Sequence, residues 1–138
     1  MRTDTELATR LRLVLARSAR RLRQESDTGL SPSLTAALAT VERHGPLTPS
    51  ELAARERVQR PTVTRLVFRL EEAGLIARAA DPTDGRSSLI SVTPAGRRLL
   101  AAGRTRKDAF LSERLDALGA DDRATLERAA VLLEGMLE

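Results

Sequence analysis

The chain has 138 residues, 41% of them apolar, which is enough to bury one core without a metal or a disulfide. It holds no cysteine, which excludes disulfide scaffolds, thiolate metal sites and thiol redox sensing, and only Phe68 and Phe110 are aromatic, which favours packed helices over a sheet sandwich. The net charge of +4 is uneven: residues 43–107 carry 13 basic and 6 acidic groups, a net of +7, whereas residues 108–138 carry 3 and 8, a net of −5.

A basic middle suits a polyanion such as DNA, although solvated surfaces carry similar excesses, so spacing has to decide. The N-terminus alternates charge with Leu and Ala and never reaches an unbroken apolar stretch. The reading is a cytoplasmic protein with no membrane partner.

From Thr5 to about Gln24, Leu7, Leu11, Leu15 and Leu22, with Val14 and Ala19 between, recur at helical spacing and predict an amphipathic helix. Its other face carries Arg10, Arg17, Arg20, Arg21 and Arg23, read as solvated charge before DNA contact. Gly29 breaks the pattern. Ser31-Pro32 caps a second helix through Leu34, Leu38 and Val41, which stops near Gly45-Pro46. Thr48-Pro49-Ser50-Glu51 reads as a capping box, with the Thr48 hydroxyl and the Glu51 carboxylate satisfying opposing backbone amides; the short third helix turns Leu52 and Ala53 inward.

A tight turn at Val58-Gln59 leads to a fourth helix from Arg60-Pro61, whose inner face is Val63, Leu66, Val67 and Leu70. Gly74 at positive φ ends it, with Leu75 packing back. Residues 75–79 and 89–92 are expected as strands joined by a loop over residues 81–86 that is dense in turn formers. Thr93-Pro94 opens a long helix through Leu99, Leu100, Ala109, Phe110, Leu111 and Leu115 to about Gly119. A last helix carries Leu126, Ala130, Leu133 and Leu137, with Ala120 where a capping hydroxyl would hold its start more firmly and Asp121 and Asp122 at its positive end.

Two short helices followed by a hairpin with an arginine at its tip are the order that places one helix in a major groove and the hairpin beside a minor groove. Arg60, Thr62 and Thr64, with Pro61 in the same first turn, lie opposite the apolar stripe. They are the expected base contacts, since arginine reaches guanine edges with two bonds and threonine offers a hydroxyl and a methyl. Arg65 and Arg69 lie further along and suit phosphates, or plain surface charge. Thr48 and Ser50 stand at a helix start whose free amides also suit a phosphate, in addition to capping. Asp84 is expected to orient Arg86 toward a narrow minor groove, the alternative being a local surface salt bridge.

The runs Gln59-Arg60-Pro61-Thr62-Val63-Thr64-Arg65-Leu66, Leu70-Glu71-Glu72-Ala73-Gly74-Leu75-Ile76 and Asp84-Gly85-Arg86-Ser87-Ser88-Leu89-Ile90-Ser91-Val92-Thr93-Pro94-Ala95-Gly96 resemble the MarR family of regulators. The helix layout that goes with them covers nearly the whole chain. The resemblance implies a homodimer joined through the first, fifth and sixth helices, a palindromic operator, and repression often relieved by a small anionic or aromatic ligand.

Independently, the terminal helices carry apolar stripes with too little chain left to cover them, so Leu7, Leu11, Leu126, Leu133 and Leu137 are the expected dimer contacts, the alternative being burial within one subunit. The expected architecture is mainly α: a dimerisation helix over residues 1–28, a winged helix-turn-helix over 29–96 and dimerisation helices over 97–138, intertwined as one domain. No cofactor is expected, and without Tyr or Trp an aromatic effector has few partners.

Other readings are weaker. His44 is the only histidine and sits at a helix end, where a dipole role suits it; no nucleophile, phosphate loop or metal-ligand spacing accompanies it, so an enzyme is not expected. A winged helix that binds protein, or DNA without sequence preference, is the remaining alternative.

Overall fold

The computed structural model describes residues 2–138; Met1, where the expected first region begins, lies outside them, and Arg2 is described by its backbone alone. Helix α1 (Arg2–Ser26) runs beyond both ends of the apolar stripe that predicts it. Its C-terminus is held by Arg106, whose Nε donates to the Ser26 carbonyl at 2.6 Å and whose Nη2 donates to the Asp27 carbonyl at 3.2 Å. A guanidinium at a helix C-terminus satisfies carbonyls that the helix itself leaves open.

Helix α2 (Pro32–His44) starts as the sequence dictates, with the Ser31 hydroxyl accepting from the Leu34 amide. Helix α3 (Pro49–Glu56) is capped by Thr48, whose hydroxyl accepts from the Glu51 amide at 3.1 Å. The capping box closes differently from expectation: the Glu51 carboxylate accepts from that same hydroxyl at 3.1 Å instead of reaching back to the Thr48 amide. Helix α4 (Arg60–Glu72) ends in a Schellman motif: the Leu75 amide donates to the Leu70 carbonyl, the Gly74 amide to that of Glu71, and Gly74 sits at φ 75°.

Strands β1 (Ile76–Asp81) and β2 (Asp84–Val92) form an antiparallel ribbon that runs from Ile76↔Val92 to the tip. Both are longer than expected, and the loop shrinks to Pro82 and Thr83. The turn formers that suggest a six-residue loop carry the ladder onward, because their side chains bond the local backbone. Leu47 adds a one-residue bridge on Ile90, exchanging both backbone bonds at 3.0 and 2.7 Å. A lone apolar residue between a proline and a cap carries no strand periodicity, so it escapes the sequence.

Helices α5 (Pro94–Asp116) and α6 (Ala120–Met136) complete the chain. The cap position of α6 falls on Gly119, with Ala120 already helical and no side-chain cap bond, so its start rests on the charges of Asp121 and Asp122.

The core lies among α2, α3, α4 and the ribbon: Leu38, Val41, Leu52, Val63, Val67, Leu70 and Ile90 are fully buried. Each such side chain contributes roughly 1.5–3 kcal/mol through its burial. Thr93 fastens α5 to this core. Its hydroxyl donates to the Gly74 carbonyl at 2.7 Å and accepts from the Gly96 amide, while its own amide donates to the Leu75 carbonyl. Gly96 has to be glycine, since a Cβ there would stand 2.3 Å from the Leu75 carbonyl oxygen.

Candidate nucleic-acid interface

The turn between α3 and α4 is set by Arg57, which adopts a left-handed conformation (φ 55°) while the amides of Arg57 and Val58 close onto the carbonyls of Ala54 and Ala53. Val63, Val67 and Leu70 then lock the inner face of α4, with Leu66 half-buried beside them. This anchoring leaves Arg60, Pro61, Thr64, Arg65, Phe68 and Arg69 exposed.

Arg60 and Ser50 meet across the turn, with the guanidinium Nη1 donating to the serine hydroxyl. A guanidinium has five donors, so this bond fixes the group and leaves the others to give. The Thr64 hydroxyl donates to the Arg60 carbonyl at 3.0 Å, a back-bond that keeps its rotamer while its lone pairs and methyl stay outward. Thr62 stands apart. Two residues on a helix place side chains about 160° apart, and Thr62 is half-buried in a cleft that it lines with Ser31, Ser33, Arg65 and Arg69. It flanks the outward face instead of sharing it with Thr64.

At the tip of the ribbon the Asp81 carboxylate accepts from the Thr83 amide at 2.9 Å and from its hydroxyl at 2.7 Å. These bonds, the backbone one foremost, hold the Asp81 carboxyl below its ordinary value of 3.8. The ladder then jumps from Ala80↔Ser88 to Asp81↔Asp84, leaving Gly85, Arg86 and Ser87 without partners across it. Asp84 and Arg86 therefore stand on the bulged end of β2 and not in a loop. The expected carboxylate–guanidinium pairing is also corrected: Asp84 accepts from the Arg86 backbone amide at 3.0 Å, which shapes the bulge and leaves the guanidinium free to extend.

Among the described residues, no carboxylate lies within ion-pair distance of Arg65, Arg69 or Arg86. Arg78, by contrast, holds Glu71 at 3.1 Å, tying β1 to the last turn of α4. Thr48 and Ser50 open α3 on the same side of the turn as Arg60. Phe68, 60% exposed, is the outward residue that motif reading passes over. The signal for it exists, since Phe68 falls four residues after Thr64 and seven after Pro61, out of phase with the inner stripe.

The model of the MarR family matches residues 30–88. An HTH-type transcriptional regulator of Mycobacterium tuberculosis (strain CDC 1551 / Oshkosh) is 37% identical over 137 residues, covering 99% of this chain and 96% of its own. The chain belongs to the MarR family.

It is thus a transcriptional regulator with a DNA-binding helix-turn-helix fold, and not an enzyme. The likeness of fold extends over the whole chain: a crystal structure from Pseudomonas aeruginosa PA01 superposes with TM-score 0.89 at 34% identity, covering 100% of this chain and 98% of that one. A MepR variant of S. aureus bound to an oligodeoxyribonucleotide shares the fold, with TM-score 0.75 at 20% identity over 96% of this chain and 98% of its own. Among the described residues, no helix is long and apolar enough to cross a membrane.

Outside the lobe, the arginines of α1 do more than face water. Arg21 pairs with Glu25 and lies 5.0 Å from the centre of the Phe110 ring, which Arg114 covers from 4.0 Å. Of the expected dimer contacts, Leu7, Leu126 and Leu137 are exposed, and Leu11 and Leu133 are half-buried. Val131, Leu132 and Met136 extend the exposed apolar surface of α6, where no residue is buried.

Proposed function

We propose that two copies of the chain bind an inverted repeat in duplex DNA and repress transcription from it. The observation that carries this reading is the unpaired basic face of α4 and the ribbon tip. Among the described residues, Arg65, Arg69 and Arg86 have no carboxylate to neutralise their charges, and phosphates are the polyanion they fit.

In this reading Arg60, held by Ser50, and Thr64 address base edges in the major groove. Arg65 and Arg69, with Thr62 on their flank, and the start of α3 at Thr48 and Ser50 address phosphates. Arg86 on its bulge enters the minor groove, and Asp84 sets its direction through the backbone. Residues 29–96 form the reading unit, and residues 1–28 and 97–138 join the two copies through Leu7, Leu11, Leu126, Leu133 and Leu137.

Repression fits a dimer that covers its site and excludes polymerase. Relief by a small anionic ligand belongs to the same reading, and the cleft of about 340 Å³ lined by Arg20, Arg23, Gln24, Ser26, Leu30 and Lys107 offers it cations and an apolar floor where α1, α2 and α5 converge.

Selection from a random duplex pool at near-physiological salt tests the proposal. The expected product is an inverted repeat with half-sites about 34 Å apart, one turn of DNA. Recovery of no motif, or binding indifferent to sequence, overturns it in favour of architectural binding.

A further inference from the structure

Phe68 is the large apolar side chain on the outward face of α4, and the described residues leave 60% of its surface exposed. The remaining exposed large hydrophobics of the described residues, Val58 apart, lie on α1, on α5 or on the chain that follows it, where a second copy would cover them. Phe68 lies instead among the unpaired cations, three residues after Arg65 and one before Arg69. Unlike Phe110, its ring carries no guanidinium over its face among the described residues. Glu72, four residues on, marks where this face turns acidic and ends.

Resting on the DNA-reading function above, we infer that Phe68 determines sequence specificity by packing its ring against the C5-methyl group of a thymine. A phenyl ring has no donor or acceptor, so it is blind to the hydrogen-bonding pattern of the major groove. The thymine methyl is the apolar feature that groove displays. Four residues along α4 from Thr64 amount to about 6 Å, so the pair read by Phe68 differs from the pair read by Thr64. The flanking arginines bring phosphates to this face, which is why the occupant is DNA and not an apolar protein surface.

The test uses the inverted repeat recovered with the wild-type chain, with each thymine replaced in turn by deoxyuridine, which removes only the methyl. For the wild type, one thymine in each half-site should lose about fourfold in affinity, the value of one buried methyl-sized group. Phe68→Ala should bind the thymine and uracil duplexes equally at that position and keep the wild-type salt dependence, since no phosphate contact is lost. Phe68→Leu, still apolar, should retain the discrimination. An unchanged melting temperature for both variants shows that the fold is intact.

If Phe68→Ala discriminates thymine from uracil as the wild type does, or if no thymine is sensitive in the wild type, the inference falls while the regulator reading stands. If the wild type yields no repeat at all, both fall together. A wild-type affinity insensitive to uracil, with Phe68→Ala losing binding to a protein instead, would assign the ring to a protein partner.

Discussion

Leu38 in α2 has lost all contact with solvent, whereas Leu132 in α6 keeps 62% of its surface exposed. Every buried hydrophobic among the described residues lies between Leu34 and Leu100, and α1 and α6 contribute none. The two regions have similar residues, rich in Leu and Ala, and differ in what is available to cover them. Inside the lobe, α2, α3, α4 and the ribbon face one another and close a core. The terminal helices leave stripes of the same chemistry exposed to solvent, the surface that the proposed dimer would cover. The lobe therefore closes its core within one chain, and under the proposed dimer the terminal helices would close theirs only against a second copy.

That contrast is sharpest where substitution removes most. Leu38→Ala should destabilise the lobe by about 2–5 kcal/mol, because the site is ringed by other buried side chains and cannot collapse; chemical denaturation measures it. A loss below 1 kcal/mol would mean that the core is not closed by a single chain. Next in size, Leu126→Asp combined with Leu133→Asp should shift sedimentation from a dimer to a monomer and lower helicity, while amide protection in α2 to α4 persists. A chain that remains dimeric with both aspartates in place would remove α6 from the interface.

The smallest effect concerns the ribbon tip. Asp81 has a depressed folded-state pKa, so its contribution to order is present above the ordinary carboxylate range and is lost as pH falls through the lower folded value. Amide exchange at Thr83, taken relative to the free-peptide rate at each pH, should therefore quicken as pH falls from about 4 through that lower value, while Leu70 in the core stays protected. Equal acceleration at both would tie the tip to global unfolding.

Much of this was legible from residue spacing. Caps at Ser31, Thr48 and Thr93 start three helices where the sequence puts them, because a hydroxyl three residues before an amide is a local matter. The apolar stripe of α4 and its end at Gly74 are equally local. What the sequence hid is contact between distant segments: the Leu47–Ile90 bridge, the Arg60–Ser50 bond and the hold of Arg106 on the end of α1. At the ribbon tip, residue types that signal a turn also serve a bulge, so composition alone misplaces Asp84 and Arg86. Helical spacing already turns Thr62 away from Thr64, and the packing of α4 beside Ser31 and Ser33 half-buries Thr62 in a cleft that the sequence does not show.

The fastening at Thr93 and Gly96 makes α5 a lever. The first turn of the helix is hooked onto Gly74 and Leu75, which joins its start directly to the end of α4. A helix of 23 residues is about 34 Å long. Pivoted at its far end by only about 5°, it would carry α4 sideways by about 3 Å, close to the rise of one base pair. For the dimer proposed above, an angular adjustment far from the DNA would thus be enough to change which spacing of half-sites it can span.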